Sequence, residues 1–76
     1  MPRYFFNVVD GDRTIVDSLG LELDDLDEAR QEAVASAREL MSENLLRGVP
    51  PNGRRFVVTD ETGAVLAEIP FKDTLD

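Results

Sequence analysis

The chain has 76 residues, a net charge of −8, no cysteine and no histidine. That length makes one small domain, which buries roughly 60% of the surface its unfolded form exposes and leaves no room for a deep internal pocket. The missing residues exclude a disulfide framework, a thiolate metal site and the commonest catalytic base.

Residues 3–9 (RYFFNVV) alternate as a strand, with Tyr4, Phe6 and Val8 on one face and Phe5, Asn7 and Val9 on the other. An aromatic on each face marks a central strand or one covered on both sides. Asp10-Gly11 is a hairpin turn signal, because both residues tolerate the positive φ of tight turns. Arg13–Val16 follows as a thinner strand, expected at an edge. Asp17-Ser18-Leu19-Gly20 makes a second turn and delivers Leu21 and Leu23, which extend the strand or cover the helix entrance.

A helix is expected over 26–47. Asp25 and Glu28 have capping-box spacing, with Glu28 reaching back to Asp25, and the acids of the first turn suit the helix dipole. Leu26, Ala29, Ala33, Ala37, Leu40, Met41 and Leu45 form the apolar stripe, whose alanines let the helix lie close on a sheet. Glu43 and Arg47 are ordered for an i,i+4 pair. Gly48 ends the helix and Pro50-Pro51 prevent its continuation. Arg54–Thr59 is a third strand, Asp60–Gly63 a hairpin turn and Ala64–Ile69 a fourth strand. Phe71 is placed back over a core edge, and 72–76 is expected to be a flexible tail.

The pattern is an α+β domain spanning 1–76, of ββαββ order: hairpin 3–17, helix 26–47, hairpin 54–69. It implies a four-stranded, mainly antiparallel sheet with one long helix packed on one face. One helix covers one face, so the opposite face meets water or a partner. If Tyr4, Phe6 and Val8 face the helix, that second face presents Phe5, Val9, Val57 and Leu66.

The order of Arg3-Tyr4-Phe5-Phe6, Asp10-Gly11, Asp17-x-x-Gly20, the alanine-rich helix and Asp60-Glu61-x-Gly63 resembles a family of short bacterial proteins classed as a domain of unknown function. The likeness runs from Pro2 to about Phe71. It implies a bacterial cytoplasmic origin and carries no activity with it. Its motifs are mostly turn and core residues, which speak for a shared fold, and fold does not carry function.

No side chain constellation points to catalysis. The serines, threonines and Tyr4 have no histidine to activate them, and no acid pair sits in an apolar setting. No enzyme, cofactor, metal or small-molecule substrate is expected. Asp10, Asp12 and Asp17 lack the spacing of a calcium loop, and the turn explains them. The N-terminal segment Met1-Pro2-Arg3 leads straight into a strand, and no stretch approaches the roughly 20 apolar residues of a membrane span. The reading is therefore a complete cytoplasmic protein that does not engage a membrane.

Two partner classes follow, and a third is set beside them. The apolar excess over what one helix covers suggests a non-catalytic interaction module, a dimer or a protein-partner binder working through the sheet. Alternatively Arg47, Arg54 and Arg55, with Arg3 and Arg13 near Tyr4 and Phe5, make an arginine-rich sheet end for nucleic acid. Charge disfavours that alternative: residues 10–28 hold eight acids against Arg13 and would repel a polyanion. The third reading is an acidic regulator of a basic protein, resting on Asp24 and Asp27.

Overall fold

The computed structural model describes residues 1–46 and 53–74. Its elements are β1 (Arg3–Asp10), β2 (Arg13–Ile15), β3 (Leu21–Glu22), α1 (Leu26–Leu46), β4 (Arg54–Thr59) and β5 (Val65–Pro70), followed by a 3-10 turn over Phe71–Thr74. The fold is α+β, and the antiparallel sheet has the order β2-β1-β4-β5. The two-residue β3 adds a fifth strand to the four expected, pairing Tyr4 with Leu21. The second strand closes at Ile15 rather than Val16, because Asp17 turns the chain back toward β1.

The long antiparallel ladder between β1 and β4 places Phe6 opposite Val58 and Val8 opposite Phe56. Phe56 and Val58 are buried with Ala67 of β5, which fixes the face carrying Tyr4, Phe6 and Val8 as the one toward the helix. A register shift at Val58/Thr59 leaves Leu66 as the extra residue between the pairs Val58–Ala67 and Thr59–Val65.

Asp25 Oδ1 accepts from the Glu28 N–H at 2.9 Å and starts α1 as expected. The Glu28 carboxylate, however, accepts from Asp24 N–H at 3.1 Å instead of from Asp25, so it satisfies the donor just outside the helix. Ala29, Ala33, Ala37 and Met41 are buried. A four-residue step advances about 40° around a helix, so this stripe drifts and leaves Leu40 behind, 37% exposed rather than in the core. Arg47, and with it the expected Glu43–Arg47 pair, the end of the helix and the Pro50-Pro51 stop, lies outside the described residues.

Of the flexible tail expected over 72–76, residues 72–74 instead form part of the 3-10 turn, and 75–76 lie outside the described residues. Phe71 is fully buried and its ring lies 4.9 Å from that of Phe56, which in turn meets Phe6 edge-on at 6.2 Å. Thr74 is buried too, its hydroxyl donating to the Phe71 carbonyl at 2.7 Å. The close contacts of α1 run to β4, β5 and this turn.

Candidate functional site

The gap between β2 and β3 is closed by side chains. Along that edge of β1, Phe6 N–H donates to Asp17 Oδ2 at 3.1 Å, and Asn7 Oδ1 accepts from Asp17 N–H at 2.9 Å. The other carboxylate oxygen of Asp17 accepts from the Leu19 and Gly20 N–H groups, both at 3.1 Å. Burial works to raise the Asp17 pKa, but the three N–H donors outweigh it and hold the carboxyl below its ordinary value. Gly20 has φ +70°, and a Cβ there would lie 2.9 Å from side-chain carbons of Arg3 and Phe5 and 3.0 Å from the Tyr4 carbonyl oxygen. Asp17-x-x-Gly20 is thus a clasp that holds the sheet edge shut, not a ligand site. The Asp60-x-x-Gly63 turn is likewise structural: Asp60 Oδ1 accepts from the Thr62 hydroxyl at 2.6 Å and from the Thr62 and Ala64 N–H groups. The Thr62 hydroxyl leads in lowering the Asp60 pKa.

Of the residues expected on the second sheet face, the ladders bring three together. Asn7 pairs with Val57, and Val9 with Arg55, on the alternation opposite to Phe6 and Val8, so Phe5, Val9 and Val57 share the face away from the helix. All three are half-buried, and no element of the described residues lies over them. Leu66 does not simply join them, because at the bulge it packs against the buried cluster. The charges on this open face cancel: Arg55 Nε donates to Glu68 Oε1 at 3.0 Å.

Among the described residues, Arg3, Arg54 and Arg55 are each held by a different carboxylate. Arg54 and Arg55 are neighbours in β4 and project to opposite faces. Arg54 Nε donates to Asp10 Oδ2 at 3.1 Å on the helix side, while Arg55 is held by Glu68 on the open side. Arg3 pairs with Glu22 at 3.1 Å and donates to the Leu19 carbonyl at 2.8 Å. A depression of about 160 Å³ does lie at the end of β4 and β5, lined by Gly53, Arg54, Arg55, Pro70 and Lys72. A broader one of about 330 Å³ is lined by Arg30, Gln31, Val34, Ala35 and Arg38, all from α1, and is a helix flank more than a pocket. Among the described residues no group of three or more acids is placed to hold a metal ion.

A second apolar surface was not expected. Exposed large apolar side chains gather in 15–21: Ile15 at 54%, Leu21 at 41%, with Val16 and Leu19 more open still. Ile15 pairs with Val8 and Leu21 with Tyr4, so both stand on the helix side of the sheet. A helix is about 10 Å wide and four strands span about 19 Å, so α1 over β4 and β5 leaves β2 uncovered and β1 only partly covered, with Tyr4 buried and Phe6 and Val8 half-buried. The result is a shelf with half-buried Phe6 and Val8 as its floor and Ile15 and Leu21 along its outer rim. Arg38 Nε donates at 2.7 Å to the Thr74 carbonyl, in the turn that follows the outer strand β5. Leu40 lies about 160° around the helix from Arg38, so the two flank the buried stripe on opposite sides.

The arrangement is that of a small α+β domain with two apolar surfaces and paired surface charges. The family model of a domain of unknown function, DUF6894, matches residues 3–72, nearly the whole chain, and the chain belongs to that family. No curated protein matches it. No solved structure matches it. No helix among the described residues is long and apolar enough to cross a membrane.

Proposed function

We propose that this chain is a small non-catalytic protein-interaction module of the bacterial cytoplasm that self-associates through its open sheet face. The observation that carries the reading is the row Phe5, Val9 and Val57, aligned on the face opposite the helix, with the 17–20 turn against Phe5 at its edge. The neutral Arg55–Glu68 pair on the same face lets two copies meet without like charges opposed, each arginine able to trade its carboxylate for the partner's across a two-fold axis. The non-catalytic part rests on the absence of histidine and cysteine from the sequence. A chain without cysteine also needs no oxidising compartment.

Four strands of about six residues present about 400 Å² per protomer, at the small end for specific interfaces, so the dimer is weak and concentration-dependent. Sedimentation velocity over a dilution series tests it: a reversible monomer–dimer shift is expected, lost in Phe5→Ser/Val57→Thr. A monomer at every concentration overturns it. The nucleic-acid alternative through Arg54 and Arg55 draws no support from the geometry, since the two point apart and each is held by a carboxylate.

A further inference from the structure

The open face does not end at the ladders. Arg3 alternates with Phe5 and Val9 along β1, so it stands on the same face as they do. Carrying the β1–β3 register one step beyond Tyr4–Leu21 puts Gly20 beside Phe5. A Cβ on Gly20 would lie 2.9 Å from side-chain carbons of both Arg3 and Phe5, so the 17–20 turn rests directly on this face and forms a lip along it. Leu19 sits on that lip. At 79% it is more exposed than any other large apolar side chain among the described residues.

Its backbone is nonetheless fixed. The Leu19 N–H donates to Asp17 Oδ1 at 3.1 Å, and its carbonyl accepts from Arg3 Nη1 at 2.8 Å. The Gly20 N–H donates to the same Asp17 oxygen at 3.1 Å, and Arg3 is braced in turn by Glu22 at 3.1 Å. An apolar side chain carried on a backbone already ordered in this way loses little freedom when a partner buries it.

Area and charge say which partner does so. The open face presents about 400 Å² per protomer, about half of the roughly 800 Å² that each side gives to a standard interface. The lip extends that area without a break, because Gly20 lies against Phe5. Its charge is closed in the Arg3–Glu22 pair, as that of the β4–β5 side is closed in Arg55–Glu68, so a copy of the same face meets paired charges at both places. We infer that Leu19 is an anchor of the open-face dimer, a fixed apolar knob on each protomer that packs on the partner's open face. The two-fold axis uses it twice. The inference rests on the open-face reading and adds to it a residue outside the sheet.

Sedimentation velocity on the full chain over a dilution series tests it, with circular dichroism melts of each variant. Leu19→Ser is expected to raise the dimer dissociation constant about tenfold or more with an unchanged melt, since each dimer loses two buried leucines. Leu19→Met, which keeps an apolar side chain of similar volume, is expected to stay within about threefold of the native chain. Ile15→Thr, at an exposed position on the helix side, is expected to change nothing. A dimer that Phe5→Ser/Val57→Thr abolishes but Leu19→Ser leaves intact overturns the inference and keeps the open-face reading, giving Leu19 to some other partner or to none. Equal weakening by Leu19→Met or by Ile15→Thr also overturns it. A native chain that is monomeric at every concentration overturns both.

Discussion

The two faces of this sheet differ in what borders their apolar residues. The open face sets Phe5, Val9 and Val57 beside a closed Arg55–Glu68 pair and carries almost no net charge. The shelf on the helix side sets half-buried Phe6 and Val8 beside exposed Ile15 and Leu21. The open face is a row across β1 and β4, whereas the shelf is a rim on the edge strands β2 and β3.

Both surfaces exist because α1 is pinned over β4 and β5, and the largest expected effect comes from pulling that pin. Phe71→Ala removes the ring that fills the space between Phe56 and the helix, and should cost about 3–5 kcal/mol in urea denaturation. That is a large share of the roughly 4–11 kcal/mol a domain of this size holds, so both faces should be lost together. Gly20→Ala acts from the other edge. Its positive φ and the close approach of Arg3, Phe5 and the Tyr4 carbonyl should cost about 2–4 kcal/mol and displace Leu21 at the rim.

Next in size is Asp17→Ala, which leaves the Phe6 N–H without its acceptor and should cost about 1–3 kcal/mol. The same residue supplies a pH dependence. Its carboxyl is held lower in the folded state than in the unfolded chain, so its contribution is complete above the unfolded pKa of about 3.9 and disappears as pH falls through the lower folded value. Urea midpoints should therefore drop on acidification below about pH 4 in the native chain and drop less in Asp17→Asn. The smallest effect belongs to the paired surface charges. Arg54→Ala breaks one half-exposed ion pair and should change stability by less than about 1 kcal/mol.

Much of this fold was legible in the sequence because local chemistry and tertiary structure agree. The alternation of residues 3–9, the Asp-Gly and Asp-Glu-Thr-Gly turns and the Asp25 cap all appear where the pattern puts them. The misses share a cause: they depend on contacts between distant parts of the chain. The two-residue β3 is too short to leave a periodic signal, and it is held by the Asn7–Asp17 clasp across ten residues. Phe71 is expected over a core edge, but Lys72–Thr74 looked like a tail because the turn that buries Thr74 is invisible locally. Leu40 fits the helical stripe by spacing, yet the drift of Ala29, Ala33, Ala37 and Met41 carries the buried face away from it. Leu66 obeys simple alternation only until the bulge interrupts it.

The candidate face was partly legible for the same reason. Phe5, Val9 and Val57 follow from period two and one helix, and the ladders do put them side by side. Arg54 and Arg55 looked like a cluster because they adjoin in sequence, although adjacency in a strand sends them apart. The shelf was hidden because it depends on where a helix sits across a sheet, which no local pattern encodes. The one available signal was the run of Ile15, Val16, Leu19 and Leu21 around a polar clasp, more apolar than an edge needs.

Sedimentation velocity on the native chain, Phe5→Ser/Val57→Thr and Ile15→Thr/Leu40→Gln, over one dilution series, separates the two faces most directly. The expected result is a weak dimer that the first variant abolishes and the second leaves intact. A chain monomeric throughout, or a dimer lost only in the second variant, would contradict the assignment of self-association to the open face.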